Sequence, residues 1–351
     1  MTETPLDIPY KAPHVEATLA QTHVRAVITP TNHPLLTYDL LVPKGWAFSS
    51  EFGPVTQMLL VPEGLGFFAG GADPHAPVIA VTATPCPFEV PPDAWIREAL
   101  RAEGWTTVKE RWFPGSNGMF FDITGTRTVD DVELVRRTSI RVDFGRLLAV
   151  NTMCGRPYWD AVKESFWAAH ATFALESPQN NPCLENWLRT SVPQPDFQVS
   201  HPSSWVPERA EPNADSSGLH LRLTDPDETV LLGYLLVHCE RKLAEPVLAK
   251  LAATTAAKIE RSGVTLLGSA HPVTFEQDPR AEAVEGWLAG FRQDGKLGDS
   301  EIDVRFDFIE RPNRVFTLLA FGPKRSDDIL ASLRVQRAYE IARATIKSLE
   351  S

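Results

Sequence analysis

The sequence reads VPKGW at residues 42–46 and HPSSW at residues 201–205, and both stretches place a tryptophan three residues after a proline. Each follows a short segment, residues 38–43 and 197–202, in which an aromatic and an aliphatic residue stand two positions apart. This spacing is typical of a β-strand, and proline ends a strand because it has no amide hydrogen for the ladder. The sequence therefore predicts the same first strand in two repeats.

The segments that follow agree with a repeat. Residues 76–86 (APVIAVTATPC) and 231–240 (LLGYLLVHCE) are apolar and rich in β-forming residues, which predicts a strand in each copy. Residues 91–104 and 245–263 carry apolar residues at helical spacing, have an early proline and end at glycine. These signals predict one helix in each copy.

The second half of each repeat is predicted from alternation. Residues 139–145 (SIRVDFG) and 301–310 (EIDVRFDFIE) alternate apolar and charged residues, and we take RVDF and RFDF, 164 residues apart, as the same position of the repeat. We expect the charged side to be a solvated sheet face, with Asp143 and Arg141 in one copy and Glu301, Asp303, Arg305 and Asp307 in the other. Another apolar strand follows in each copy, at residues 146–155 and 314–322. Each copy closes with a predicted helix, at residues 157–175 and 326–349, and Ser326 is the expected N-cap of the second.

These patterns predict an α+β fold of two tandem domains, each an antiparallel sheet packed with helices. We place an N-terminal arm at 1–35, the first domain at 36–175, a linker at 176–195 and the second domain at 196–351. The linker is assigned from its Pro, Asn and Gln content. Its Leu184, Trp187 and Leu188 are predicted to form a short helix.

The order of elements, together with the VPKGW and HPSSW steps, resembles the PsbP/Mog family, once in each half of the chain. This family includes the PsbP proteins, the Mog proteins, DcrB and the Eag-type chaperones of type VI secretion effectors. The resemblance implies two tandem PsbP/Mog-like domains that bind, assemble or chaperone other proteins, and it brings no catalytic residues with it. The chain departs from DcrB and PsbP in lacking their leader sequences, and from the Eag chaperones in being tandem.

Composition excludes several classes of function. The chain has 351 residues and a formal charge of −11, which argues against nucleic acid or an anionic membrane as the main partner. The sequence shows neither a signal peptide nor an apolar stretch long enough to span a membrane, so we expect a cytoplasmic protein without stable membrane insertion. Its cysteines, Cys86, Cys154, Cys183 and Cys239, are widely spaced and are expected to be reduced and buried.

No motif predicts a cofactor or metal site. Residues 64–71 (GLGFFAGG) lack the lysine of a phosphate-binding loop and are interpreted as a turn between strands, as is TDPDET at 224–229. His238 and Cys239 are neighbours in a predicted strand, so they face opposite sides and cannot form a dyad with each other. A dyad with a remote partner stays open.

An exposed apolar patch is the candidate binding surface. Trp105, Trp112 and Phe113 lie in GWTTVKERWFPG after a helix stop, although we expect at least one of them to pack in the core. The leading hypothesis is a non-enzymatic protein-binding or chaperone module, whose partner is another protein such as a secreted effector segment. Self-association stays open. The alternative is a small-ligand binder or enzyme that uses an interdomain cleft.

For that alternative, the sequence offers His201, His220 and Asp307 as residues that could converge from separate elements. Domain interfaces are common places for ligand sites, which is why the alternative is kept.

Overall fold

The computed structural model describes residues 6–10, 16–50, 63–179, 184–193, 196–211, 213, 215–227, 229–242, 247–273 and 284–349. Two residues named above, Cys183 and the proline early in the 245–263 helix, Pro246, lie outside these ranges. The chain forms two compact units, Met1–Phe88 with Pro92–Leu184, and Glu89–Pro91 with Glu185–Ser351. The boundaries assigned at 36, 176 and 196 stay predictions.

The first unit contains ten strands, three α-helices and one short 3-10 helix among its described residues. The strands are β1 (His23–Ile28), β2 (Tyr38–Pro43), β3 (Ala47–Ser49), β4 (Glu63–Ala69), β5 (Val78–Pro85), β6 (Thr106–Gly115), β7 (Gly118–Val129), β8 (Val132–Asp143), β9 (Arg146–Gly155) and β10 (Ala174–Leu175). The helices are α1 (Glu16–Thr22), α2 (Pro92–Ala102) and α3 (Arg156–Thr172), and the 3-10 turn is Pro34–Leu36.

The second unit contains ten strands and two helices among its described residues. The strands are β11 (Trp187–Val192), β12 (Phe197–Pro202), β13 (Val206–Arg209), β14 (Ser216–Thr224), β15 (Leu231–Arg241), β16 (Val264–Pro272), β17 (Trp287–Leu297), β18 (Ser300–Arg311), β19 (Arg314–Pro323) and β20 (Lys347–Ser348). The helices are α4 (Leu248–Arg261) and α5 (Ile329–Thr345).

The two units repeat one strand order. The first has a seven-stranded sheet in the order β3-β4-β5-β9-β8-β7-β6 and a three-stranded sheet β1-β2-β10. The second has β13-β14-β15-β19-β18-β17-β16 and β11-β12-β20, which is the same order element by element, and the strand pairs are antiparallel in both. The predicted α+β class, with two tandem antiparallel sheets packed with helices, is confirmed.

The repeated proline and tryptophan form a tight turn at the end of the first predicted strand. The Trp46 amide donates to the Pro43 carbonyl at 3.4 Å, and the Trp205 amide donates to the Pro202 carbonyl at 3.1 Å. Trp205 is fully buried in the core of its unit, whereas Trp46 is half-buried and packs edge-on against Phe166. VPKGW and HPSSW therefore each form a turn that packs its tryptophan ring against the core.

Helices cover both faces of each large sheet. In β7, Phe121 contacts Arg97 of α2, while its neighbour Phe120 lies edge-on to Phe173 at the end of α3. In β18, alternate side chains pack in a core cluster with Ile259 of α4, and Asp307 between them pairs with α5. Because successive residues of a strand point to opposite faces, a helix lies against each side of the alternation at these residues.

The prediction of a solvated polar face is therefore wrong for Asp143, Arg141 and Asp307, whereas Glu301 and Asp303 near the start of β18 are exposed as predicted. Asp143 and Asp307 are fully buried, and Arg141 is 5% exposed. The Arg141 guanidinium lies 2.7 Å from the Asp143 carboxylate, and the Arg343 guanidinium of α5 lies 3.1 Å from the Asp307 carboxylate. Buried charges are tolerated when they are paired, which is how these strands place charged residues beneath a helix.

The correspondence inferred from RVDF and RFDF is also wrong by four residues. The β8–β9 hairpin closes with Asp143 opposite Arg146, and the β18–β19 hairpin closes with Arg311 opposite Arg314. Equivalent residues of these hairpins therefore differ by 168 in number and not by 164. The shared letters are not the structurally matching positions.

Three local predictions are corrected by the structure. GLGFFAGG is mostly strand β4, paired along β5, and not a turn, and its Gly66 lies against the Tyr38 hydroxyl with no room for a Cβ. The segment expected to be helical in the linker is strand β11, which pairs along β12. The closing helix α5 is capped by Asp328, whose carboxylate accepts from the Ala331 amide at 2.9 Å, and not by Ser326.

Candidate binding groove

Helices α3 and α5 occupy the same position in their units. Near the end of α3, the Thr172 hydroxyl accepts from the Leu41 amide of β2 at 2.9 Å. Near the end of α5, the Thr345 hydroxyl accepts from the Ser200 amide of β12 at 3.0 Å. Both helices have 17 residues, so their equivalent residues differ by 173 in number.

A groove lies between α3 and the strands β6 to β8 of the first unit, and the chain fills it with its own residues 6–10 (Leu-Asp-Ile-Pro-Tyr). The Arg137 guanidinium of β8 donates to the Pro9 carbonyl at 2.9 Å. The Trp159 indole of α3 donates to the Asp7 carbonyl at 3.0 Å. These contacts hold the backbone of the segment between sheet and helix, and we call the site the filled groove.

Side chains of residues 6–10 also contribute to the filled groove. The Asp7 carboxylate lies 2.6 Å from the Lys163 ammonium of α3, and Ile8 is buried in the core of the unit. The Tyr10 ring lies beneath the Arg111 guanidinium, 3.9 Å from ring centre to guanidinium carbon. Burial, with a smaller contribution from the charge of Asp122, raises the pKa of Tyr10 to about 12.

The corresponding space in the second unit is a cavity of about 580 Å³, and no described residue fills it. We call it the open groove. Its floor is made by four strands and its side by α5. Its main polar lining residues are His271, Arg292, Gln293, Asp294, Asp303, Arg305, Lys324, Arg325, Ser326, Ser332, Gln336 and Tyr339.

The floor of the open groove consists of two rows of opposed residues. One row runs His271, Arg292, Arg305 and Ala320 across strands β16 to β19, and the next runs Leu267, Asp294, Asp303 and Gly322. Directly opposed residues of an antiparallel pair point to the same face of the sheet. Both rows therefore face the space beside α5.

The three residues that hold the segment in the filled groove have counterparts that line the open groove. Arg305 corresponds to Arg137 by the 168-residue difference of the hairpins. Equivalent residues of α3 and α5 differ by 173 in number. Ser332 of α5 therefore corresponds to Trp159 of α3, and Gln336 corresponds to Lys163. The smaller serine leaves room where the first unit has an indole. The second unit therefore keeps the floor arginine of the groove, and none of its described residues occupies the space.

Ion pairs set the charge at the rim of the open groove. The Lys324 ammonium lies 2.9 Å from the Glu301 carboxylate and 3.5 Å from that of Asp294. The Arg325 guanidinium donates to the Gln336 side-chain carbonyl at 2.5 Å. Desolvation, followed by repulsion from Asp294, raises the pKa of Asp303. The lining is thus polar and carries groups of both signs.

Tyr339 connects the side of the open groove to the buried layer below. Its ring lies 4.8 Å from the Arg305 guanidinium carbon, a cation–π contact. The residue is 1% exposed, and burial together with the charge of Asp307 raises the pKa of its hydroxyl. An aromatic ring and a guanidinium therefore form adjoining walls of the cavity.

The contact between the closing helix and the sheet beneath it has different chemistry in the two units. His170 of α3 is within hydrogen-bonding distance of the Ser139 hydroxyl at 2.7 Å, and burial lowers the pKa of the imidazole well below its usual value. The equivalent residues of the second unit are Arg343 and Asp307, which form an ion pair. The first unit is therefore neutral at a place where the second is charged.

The structure separates the three residues of the predicted surface. Trp105 is 8% exposed and Phe113 is 4% exposed, so both belong to the interior, where Phe113 packs on Phe120 and Trp167. Trp112 is 40% exposed and lies on the other side of β6, against Phe121. Alternation along the strand explains this difference between adjacent aromatic residues. Only Trp112 offers a sizeable surface, and its role in binding stays a prediction.

The candidate reactive residues have other partners in the structure. Cys239 is buried in the core, whereas the neighbouring His238 imidazole lies 2.8 Å from the Glu240 carboxylate. Of the residues proposed to converge, His201 contacts the Thr190 hydroxyl and His220 contacts the Tyr234 hydroxyl. Asp307 pairs with α5, as described above. The three therefore take part in separate local contacts within the second unit.

The described residues contain no group of three or more His, Cys, Asp or Glu side chains that could hold a metal ion. None of the described helices is long and apolar enough to cross a membrane. Cys86, Cys154 and Cys239 are buried, and burial raises the pKa of Cys154 to about 12.

Sequence reasoning missed the open groove. The alternation places Arg305 on a strand face that we expect to be solvated. No sequence motif points to His271 or Arg292 as lining residues. A signal was present in the chain: each charged strand is followed by another strand and then by a helix, which can cover the charged face. Residues 6–10 carry no periodic pattern, so their place in the filled groove could not be inferred from sequence.

No family model matches the chain, and no curated protein matches it. Among solved structures it is similar to PsbP (CyanoP) from Synechocystis sp. PCC 6803, with 14% identity over 44% of this chain and 92% of that one and a TM-score of 0.34. It is also similar to a chain of the Tle4–Tli4 complex, with 8% identity over 93% and 98% and a TM-score of 0.23.

The immunity protein TplEi of T6SS from Pseudomonas aeruginosa is matched at 8% identity over 93% of this chain and all of that one, with a TM-score of 0.23. Similarities of this strength leave function to be argued from the structure itself.

Proposed function

We propose that this chain is a non-enzymatic protein-binding module that holds an extended segment of a partner protein in the open groove. The observation that carries the proposal is the filled groove of the first unit, where residues 6–10 occupy the corresponding space. The arginine that donates to the Pro9 carbonyl there, Arg137, has its counterpart in Arg305 on the open floor.

The contacts in the filled groove suit a segment from another protein. Two of them are made to main-chain carbonyls, those of Asp7 and Pro9, which every extended peptide carries. The open groove is also large enough, since ligand sites range over roughly 300–1,000 Å³ and this one has about 580 Å³. Apolar lining by Val335 and the Tyr339 ring gives a side chain of the partner a surface to pack on.

The test fills the groove by mutation. Ser332 is half-buried and lines the cavity, and Ser332→Trp restores the indole that the first unit has at this position. Short peptides selected from a display library on the full chain are resynthesised, and their affinity is measured by fluorescence anisotropy. We expect Ser332→Trp to weaken binding about tenfold or more, a change of about 1.4 kcal/mol.

A matched control places the same residue outside the groove. Thr254 is an exposed residue of α4, so Thr254→Trp adds an indole without entering the cavity. This variant is expected to bind the peptides as the wild type does. Failure of the library to yield peptides, or equal binding by wild type and Ser332→Trp, would overturn the proposal.

A narrower form of the proposal makes the partner a secreted effector and this chain its chaperone. The support is the resemblance of the repeat to chaperone-containing families, noted from VPKGW and HPSSW. Co-expression with the product of a neighbouring effector gene should then give a complex. The complex should be lost in Ser332→Trp and retained in Thr254→Trp.

A second candidate function is the binding of a small anion in the open groove, whose lining includes polar groups of both signs. Thermal-shift measurements with inorganic phosphate and small dicarboxylates separate the two candidates. Stabilisation by these anions, with no peptide bound, would favour this alternative.

A further inference from the structure

We infer that helix α4 is a lid that detaches from the second unit while the sheet beneath it stays folded. The helix lies on the face of the sheet opposite to α5 and the open groove, so the inference concerns a separate part of the unit and goes beyond the proposed function. It comes from comparing α4 with α2, which has the same place in the element order of the first unit.

The two helices bury very different shares of their residues. Six of the 11 residues of α2 are buried, and the helix lies against three strands, β6 to β8. Of the 14 residues of α4, the buried ones are Thr255 and Ile259, and the helix lies chiefly against β16, the outermost strand. Burial of an apolar face supplies most of the stability of a helix in a protein. Ile259 is therefore the main attachment of α4.

Polar contacts also attach α2 more firmly than α4. Arg97 of α2 donates two hydrogen bonds to the Glu110 carboxylate of β6, at 2.8 and 3.0 Å, and its guanidinium lies over the Phe121 ring of β7. In the described part of the chain, α4 is joined to the sheet by one ion pair, in which the Lys258 ammonium lies 3.1 Å from the Glu240 carboxylate of β15. A single exposed ion pair contributes less than a bidentate pair that also covers an aromatic ring.

The first turn of α4 is weakly attached as well. Val247 occupies the N-cap position and has no side-chain oxygen to accept from the first amides of the helix. Val247 and Leu248 are 61% and 38% exposed, so the first turn buries little apolar surface. In the same unit, α5 begins with the capping carboxylate of Asp328. The start of α4 therefore offers little resistance to opening.

The sheet face beneath α4 is aromatic and is held together without the helix. The Phe291 and Phe306 rings stack with 5.2 Å between their centres, and the Tyr234 and Phe321 rings stack at 4.8 Å. These contacts join neighbouring strands of the sheet to each other, so they persist when α4 leaves. Detachment of α4 exposes the apolar surface that Ile259 covers, a kind of surface that hydrophobic dyes bind.

Native-state hydrogen exchange tests the inference on the full chain. Exchange of the amides of α4, of α2 and of the sheet strands is followed by mass spectrometry at several urea concentrations below the unfolding transition. We expect the amides of α4 to be at least about tenfold less protected than those of β17 to β19, because α4 opens locally. Urea should hardly change the exchange of α4, since its opening exposes little surface. The amides of α2 should exchange together with β7 to β9.

Matched variants test the attachment of each helix. Ile259 and Leu100 each stand four residues before the glycine that follows their helix, Gly263 in one unit and Gly104 in the other. Ile259→Ala should increase the exchange of α4 about thirtyfold or more, because it removes the main buried side chain. Leu100→Ala should leave α2 exchanging together with the strands of its unit, because the other buried residues of α2 still hold it.

A dye provides a second measurement. Ile259→Ala should bind anilinonaphthalene sulfonate more strongly than wild type or Leu100→Ala, since the aromatic face is then exposed more often. Amides of α4 that match β17 to β19 in protection and in urea dependence would overturn the inference, because the helix would then leave only when the sheet unfolds. Exchange of α4 that is unchanged in Ile259→Ala would overturn it as well.

Discussion

The filled groove and the open groove are the same architectural position with two different uses. In the first unit Trp159 and Lys163 of α3 and Arg137 of β8 hold residues 6–10. In the second unit the helix positions are Ser332 and Gln336, and a cavity remains. A repeat can therefore keep its strand order while residues 6–10 occupy this position in one copy and no described residue occupies it in the other.

The largest effect is expected from removing the segment of the first unit. A variant that begins at residue 11 loses the burial of Ile8 and the main-chain acceptors of Arg137 and Trp159. Deleting a buried isoleucine side chain alone costs about 2–5 kcal/mol, and hydrogen bonds to charged groups contribute about 1.5–3. We expect a loss of about 5 kcal/mol in urea unfolding.

A synthetic peptide of residues 6–10 provides the control for that variant. Added in excess, it should bind the truncated chain and restore part of the lost stability, because binding to the folded state stabilises it. A truncated chain as stable as the full one, or one whose stability the peptide does not change, would show that the segment does not support the first unit.

The next largest effect on the free energy of unfolding is expected from the contact between the closing helix and the sheet. Asp307→Ser removes the carboxylate 3.1 Å from Arg343, whereas Ser139→Ala removes a neutral contact to His170. Breaking a buried ion pair costs about 3–5 kcal/mol, and losing a neutral hydrogen bond costs about 1. Urea unfolding of both variants should show this order.

A double variant checks the cause. Asp307→Ser combined with Arg343→His gives the second unit the chemistry of the first, and it should recover most of the stability that the single change loses. Equal costs for the two single variants would mean that the ion pair contributes no more than the neutral contact does.

The same contact predicts an acid sensitivity for the first unit. Burial lowers the pKa of His170, so the folded state binds fewer protons than the unfolded state below about pH 6.5. Stability is therefore complete above that pH and falls as the pH drops, with a slope approaching about 1.4 kcal/mol per pH unit.

A glutamine at this position isolates the contribution of His170. Unfolding midpoints of wild type and His170→Gln should converge as the pH falls from about 7 to about 5. Since His23 also has a lowered pKa, the difference between the two proteins is the quantity to measure, rather than the wild-type curve. Parallel curves would assign the acid sensitivity to other groups.

The smallest effect is expected at the exposed aromatic residue of β6. Trp112→Ala removes a ring that packs on Phe121 and is 40% exposed, and aromatic pairs contribute about 0.5–1.5 kcal/mol. We expect a stability loss of about 1 kcal/mol and no change in peptide binding by the open groove. Weaker peptide binding would show that the predicted surface takes part after all.

Much of the fold could be predicted from local patterns. The strands ending at Pro43 and Pro202, and the helices that stop before Gly104 and Gly263, depend on signals within a few residues. Both glycines have positive φ values, 82° and 90°, where other residues are strained. These features are determined by the local chain, so sequence alone was sufficient.

The open groove could not be predicted because it depends on distant residues. Asp307 follows the same alternation as a solvated residue would, and only the later helix, through Arg343, encloses it. Likewise, the aromatic neighbours Trp112 and Phe113 look equivalent in sequence, but helix α3 covers only the face that carries Phe113. Alternation identifies two faces of a strand without showing what lies against each.

Tethering of residues 6–10 has a consequence for stoichiometry. A segment that belongs to the same chain as its groove experiences an effective concentration that can reach the millimolar range. A free peptide at micromolar concentration cannot compete with it, so the first unit stays saturated by its own chain. Titration should therefore give one peptide per chain in spite of two similar grooves, and a second equivalent should appear only once the tether is cut.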